Sequence, residues 1–230
     1  MAARRYHWRA ARHPHPRMRT ISFGSVQGRF VLMDERSDSY FTIGSELQDD
    51  IEEVVENGGL LPSDHRLRRV LEIGDERAWI LRACASPAAR SLLDDPSPSR
   101  TRIDDILRVA FLLRKTKGQL RSWPIERLLR DIFRRTPRLT SAVPLIDRAL
   151  RFRAARKLVP IKPNCLLDSL SLVRWLGAGE EPVSLLFGVK LDPFAAHCWL
   201  QSGALVLNDR TENVAAFTVV RSTGCSDLTR

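Results

Sequence analysis

Apolar residues recur at helical spacing from Leu166 through Leu167, Leu170 and Val173 to Leu176, and they predict a helix that opens at Cys165. Asn164 in front of it is a preferred N-cap, and Gly177 behind it is a natural terminator. Two β-rich apolar runs follow, at 183–189 and 195–200, then Gly203, a third run at 204–207, and Asn208-Asp209. That order predicts a helix feeding an antiparallel meander. Residues 217–220 read as a last strand, and the polar tail after Arg221 as loose.

Nearer the start, Phe30-Val31-Leu32 and Tyr40-Phe41-Thr42-Ile43 are short β-type runs on either side of the polar stretch 34–38, which predicts a hairpin. Ser45 and Gln48 have capping-box spacing; Leu47, Ile51, Val54 and Val55 line one face of a helix, and Gly58-Gly59 stop it. Leu67, Val70, Leu71 and Ile73 suggest a second helix. From 102 to 157, Ile103, Ile106, Leu107, Phe111, Leu112, Leu128, Leu129, Ile132 and Phe133 alternate with arginines, and Pro124, Pro137 and Pro144 divide the region into three or four short helices. The expected fold class is α+β. Residues 1–19 form a basic tail, 20–93 a first domain, 94–100 a proline- and serine-rich linker, and 101–230 a second domain.

Charge changes this picture by its distribution rather than its total of +10. Residues 1–20 carry +6, residues 21–99 carry −7, residues 100–160 carry +12, and residues 161–230 carry −1. A basic region raises nucleic acid as a partner. Here Arg102, Arg108, Arg114, Arg121, Arg127, Arg130, Arg134 and Arg138 accompany helical apolar positions without any nucleic-acid motif, so they read as the solvated face of amphipathic helices. Docking of an acidic partner protein or acidic precursor peptide is a further use. No apolar run approaches the roughly 20 residues that span a bilayer. The first twenty residues lack the apolar segment of a secretory signal, so the cytoplasm is the expected location and no membrane partner is expected. Cys84, Cys165, Cys198 and Cys225 show no C-x2-C spacing, which argues against structural zinc and gives no reason to expect disulfides.

The candidate chemistry lies in one stretch, where Cys165, His197 and Asp209 supply in order a nucleophile, a base and an orienting carboxylate. A thiol at a helix start meets unpaired N–H groups and the positive end of the helix dipole, which favour the reactive thiolate. His197 and Asp209 share a face if Ser202-Gly203-Ala204 is a three-residue loop; a two-residue Ser202-Gly203 turn separates them unless Asp209 lies beyond the end of the ladder. Asn208 is an alternative orienter, and Trp199 either shields the His–Asp contact or is simply core. Cys198 reads as a small buried residue directed away from the cleft. The backbone N–H of Cys165 is the generic oxyanion donor, with no glutamine a few residues upstream to add a second. Motifs for a serine hydrolase, a zinc protease or a P-loop ATPase are absent, and no cofactor or metal is expected.

Cys165-Leu166, Gly188-Val189, Pro193-Phe194, Ala196-His197-x-Trp199 and Asn208-Asp209, taken together, resemble the leader peptidase of lasso-peptide biosynthesis, a relative of transglutaminase-like cysteine proteases. The closer part of the resemblance spans residues 160 to 215. It implies hydrolysis of the leader–core bond of a ribosomally made precursor peptide by Cys165, His197 and Asp209, with an asparagine synthetase-like cyclase as partner. The first domain resembles, in layout, a small winged-helix leader-recognition domain, which implies capture of the leader as an added strand. The alternatives are a catalytically silent leader-binding scaffold, an acyl transferase using the same triad, and a basic nucleic-acid binder.

Overall fold

The computed structural model describes residues 5–7, 18–36, 39–94, 101–135, 143–177 and 182–223. Most of the expected basic tail, linker residues 95–100, Pro137 and the polar end 224–230 lie outside the described residues. Among the described residues the protein is a mixed α+β structure of seven α-helices and two mixed sheets, and no helix is long and apolar enough to cross a membrane.

The first sheet contains β1 (Arg5–His7), β2 (Met18–Val26), β3 (Arg29–Asp34), β4 (Ser39–Thr42) and β5 (Arg77–Arg82), in the order β1-β4-β3-β2-β5. Only β2 and β5 run parallel. The expected hairpin forms as β3 and β4, with Leu32 opposite Phe41 and Met33 opposite Tyr40. It is joined by β2 through Gln27-Gly28, both at left-handed φ (52° and 75°), as a tight two-residue hairpin connection requires. α1 (Gln48–Glu56) follows a 3₁₀ turn at Ser45–Leu47, and no side-chain cap forms there, so the capping box expected from Ser45 and Gln48 is not made. α2 (Arg66–Val70) is the short second helix. Strand alternation divides the side chains. Phe30, Leu32 and Phe41 pack with Ile51, Val54 and Leu67 from the helices, while Val31, Met33 and Tyr40 join the larger core on the other side.

The second sheet holds β6 (Arg90–Ser91), β7 (Ser184–Leu191), β8 (Phe194–Ser202), β9 (Leu205–Val206) and β10 (Thr218–Thr223), in the order β10-β7-β8-β9-β6. β6 lies in sequence before the expected boundary at 93. Arg90 and Ser91 pair with Leu205 and Val206, so the segment before the linker already belongs to the second sheet. The two sheets meet where β10 crosses β2. A Cβ on Gly24 would lie 2.3 Å from the Val219 carbonyl oxygen, so only glycine allows this approach, and Arg221 is ion-paired with the buried Glu35 beside it.

α3 (Ile103–Ser122), α4 (Ile125–Arg135), α5 (Leu145–Lys157) and α6 (Cys165–Leu176) form the helical layer, and α7 (Thr211–Ala215) precedes β10. Pro124 and Pro144 stand immediately before α4 and α5, as their missing N–H groups favour. α3 is 20 residues long rather than short, and its buried face is Asp105, Val109, Leu113 and Thr116. Ile103, Leu107 and Phe111 are instead 75, 64 and 62 % exposed, which corrects the face expected for them. Of the arginines expected on the solvated face, Arg102, Arg108, Arg114, Arg121, Arg127 and Arg130 are exposed, and some also make contacts. Arg108 lies over Trp175, Arg127 lies over Trp123, and Arg151 grips the buried Asp105 at 2.5 and 3.1 Å. α6 buries Leu167, Leu170, Val173 and Leu176, each worth roughly 1.5–3 kcal/mol when fully buried, and ends at Gly177 with φ 71°.

Candidate active site

The start of α6 is built locally and then fastened from a distance. Asn164 is extended, and its side-chain oxygen accepts the Leu167 N–H at 3.0 Å. The Asn164 N–H donates to Asp168 at 3.3 Å. Arg156, at the end of α5, donates to the same Asp168 at 2.7 Å and to the carbonyls of Val159 and Ile161 at 3.2 and 2.9 Å. One guanidinium therefore holds the end of α5, the connecting loop and the first turn of α6 in register. The amides of Cys165 and Leu166 have no acceptor within the helix, and they add their positive ends to the surroundings of the Cys165 sulfur.

β8 supplies the partners. His197 hydrogen-bonds Cys165 on one side, and its Nε2–H donates to Asp209 on the other, which leaves Nδ1 for the thiol. Asp209 also accepts from the Asn213 side chain at 2.9 Å and from the Arg210 N–H at 2.7 Å, and its carbonyl accepts from the Ser91 hydroxyl. The imidazole stacks on Trp199 (centroids 5.9 Å apart, planes at 21°) and leans on Phe217 at 5.2 Å. Opposite it in the ladder is Gly188, where a Cβ would come within 2.8 Å of both the Trp199 ring and the Phe217 side chain. Glycine at 188 is what lets those two rings close over the histidine.

Of the registers left open by the sequence, the structure takes neither loop. Ser202 pairs with Leu205 and Gln201 with Val206, so the turn is the two residues Gly203-Ala204. Continued strictly, that register would put His197 and Asp209 on opposite faces. β9, however, stops at Val206. After a last bond from the Leu207 N–H to the Leu200 carbonyl (2.9 Å), the chain leaves the ladder, and Asp209 swings onto the histidine. Asn208 is not the orienter: its side chain accepts from the Leu200 N–H at 2.7 Å and donates to Ser169 at 2.8 Å, tying β8 to α6.

Cys198 is a second correction. Strand alternation sends His197 toward Trp199 and Cys198 toward α6, and because α6 begins over this strand, Cys198 lines the cleft and hydrogen-bonds Cys165. Donation from Cys198, opposed by burial and reinforced by His197, brings the Cys165 thiol down to about 4. Burial foremost pushes the Cys198 thiol well above its ordinary value, so it remains a donor. Burial lowers the pKa of His197, but Asp209 and Cys165 outweigh it and raise the imidazole to about 9. Burial opposes ionisation of Asp209 too, yet hydrogen bonds from His197, Arg210 and Asn213 hold its carboxyl below the usual range. Between those limits the arrangement is a thiolate–imidazolium pair.

Cys165, His197 and Cys198 open onto a cleft of about 470 Å³, with Tyr40 of the first sheet and Phe187 in its wall. Among the described residues no group of three His, Cys, Asp or Glu side chains could hold a metal ion. Arg156, Asp168 and Asn213 were not singled out from sequence, Gly188 was named only as part of a motif block, and Cys198 was expected to be directed away from the cleft. Only Asp168 had a local signal, an acid in the first turn of a helix. No curated protein and no solved structure matches the chain. A family model described as the transglutaminase-like superfamily matches residues 106–222, which include Cys165, His197 and Asp209 and make up just over half of the 230 residues. The chain belongs to the transglutaminase-like superfamily.

Proposed function

We propose that this protein is a cysteine peptidase that binds the leader of a ribosomally made precursor peptide and hydrolyses the leader–core bond during lasso-peptide maturation. The observation that carries the reading is Cys165 at the opening of α6, in contact with an imidazole whose far nitrogen is held by Asp209. The thiolate attacks the scissile carbonyl, and in this reading the backbone N–H of Cys165 is the generic donor to the developing oxyanion. The imidazolium gives its Nδ1 proton to the departing amine, leaving a thioester. Water attacks the thioester, the imidazole takes its proton, and the acid and thiolate are released.

The motif blocks of the lasso leader peptidases support the narrower part of the reading. Cys165, His197 and Asp209 are the reacting groups, Gly188 makes room for Trp199 and Phe217 over the histidine, and Asn208 ties β8 to α6. In this reading the first sheet captures the leader by strand addition along the outer edge of β4, where residues 5–7 now pair, and Tyr40 of β4 leads into the cleft. The expected protein partner is the asparagine synthetase-like cyclase that consumes the freed amino terminus. The test is precursor cleavage by wild type and Cys165→Ala, followed by mass spectrometry. Loss of cleavage with leader binding retained supports the peptidase, and undiminished cleavage by the variant overturns it. A wild type that binds leader but never cuts is the silent scaffold.

A further inference from the structure

The cleft beside Cys165 is lined by three cations and by no carboxylate. Lys117 and Arg121 stand one turn apart at the end of α3, and Lys162 stands three residues before Cys165. None of the three makes an ion pair or hydrogen bond with a described residue. Arg114 and Lys115 of the same helix are also exposed, but they lie outside the cleft, and other arginines nearby are engaged. Arg130, Arg151, Arg156 and Arg174 of the surrounding helices are all paired with carboxylates, and Arg108 and Arg127 lie over tryptophans. Three like charges around one concavity repel each other, and a concave wall focuses their field on whatever enters. Those arginine–carboxylate pairs hold the helical layer together; the three cations of the cleft face the space a substrate would fill. The apolar part of the lining, Leu120, Ile125, Leu166 and Phe187, offers nothing to satisfy them.

We infer that Lys117, Arg121 and Lys162 are specificity-determining residues that select a peptide carrying Asp or Glu within a few residues of the bond that is cut. The inference rests on the peptidase reading for the identity of the occupant as a peptide. An extended chain advances about 3.3 Å per residue, so a cleft of this size takes a segment of only a few residues, and an acidic side chain on that segment is within reach of all three cations. The basic excess of residues 100–160 thereby has a use at one end of α3 rather than along its whole length.

The experiment measures binding of three labelled peptides of otherwise identical sequence, with Glu, Gln or Lys at the variable positions, to the uncleaving Cys165→Ala protein. Cleavage of the same peptides by wild type is followed in parallel. The Glu peptide is expected to bind about tenfold tighter than the Gln peptide at low salt, with the difference shrinking as salt is raised. Lys117→Glu with Arg121→Glu is expected to reverse the preference toward the Lys peptide. Arg114→Glu, exposed on the same helix outside the cleft, is expected to leave it unchanged. Equal binding of the Glu and Gln peptides within twofold, a preference that survives the double charge reversal, or no binding of any peptide overturns the inference. Cleavage without charge preference sinks the inference and leaves the peptidase standing. Charge-selective binding to Cys165→Ala with no cleavage by wild type sinks the peptidase and leaves the acidic-peptide cleft.

Discussion

The opening of α6 and the middle of β8 each present a thiol to the same cleft, and the two are driven in opposite directions. Cys165 falls to about 4 while Cys198 rises well above its ordinary value. The residue type is identical, so the difference is positional. Cys165 is half-buried at a helix start, receives a hydrogen bond from Cys198 and faces an imidazolium; Cys198 is buried in the core of a strand with a thiolate before it, and loss of its own proton would place two anions side by side. Thiol acidity here belongs to the site, and Cys198 contributes by keeping its proton.

Substitutions break this comparison in order of size. Cys165→Ala removes the reactive member and is expected to lower kcat/KM for precursor cleavage by about 10³-fold or more. Iodoacetamide at pH 6 with peptide mapping should label Cys165 and spare Cys198. Asp209→Asn keeps the shape but loses the charge that fixes the imidazole, and is expected to cost about 10²–10⁴ in kcat with little change in KM, read from steady-state kinetics. Cys198→Ala removes the donor to the thiolate and should move the acid limb of the pH–rate profile up by about one to two pH units, with a smaller loss at neutral pH.

The unmodified protein sharpens the same contrast. Its kcat/KM should climb through about pH 4, as Cys165 ionises, and fall through about pH 9, as His197 loses its proton. The stability consequence has the matching sign for the histidine. Its folded value lies above the ordinary 6.5, so its contribution is full below that pH and is lost as pH rises through about 9, which thermal melts of wild type and His197→Ala across pH 6 to 10 would show. The smallest effect is expected away from the thiols. Arg156→Ala frees the first turn of α6 and should reduce stability by about 1–3 kcal/mol in denaturant titration, with a loss of kcat larger than the loss of binding.

Local chemistry made one half of the site legible. Asn164 as cap, Cys165 at the first helical position and Gly177 as stop are decided within a few residues by backbone groups that must be satisfied or released, and the structure places each as expected. The histidine's strand was legible for a similar reason, because β-rich runs separated by turn residues need no distant partner to be recognised. α3 shows where this fails. Ile103, Leu107 and Phe111 have helical spacing, yet Val109 and Leu113 are the residues that turn inward, because a basic helix with apolar residues on more than one side is oriented by its neighbours. The ion pair of Arg156 with Asp168 was equally invisible, since in sequence each is one more charge that water could have satisfied.

The sequence by itself determined the α+β class, the reactive corner of α6 and the identity of the three candidate residues, because capping, periodicity and turn chemistry act over short distances. Tertiary structure alone decided that Asp209 reaches His197 and that Cys198 faces Cys165. The first depends on a ladder that pairs Ser202 with Leu205 and then ends at Val206; the second depends on which face of β8 the helix covers. Strand register and packing face follow from contacts between segments tens of residues apart, and a one-residue slip, costing nothing locally, would have put the carboxylate elsewhere.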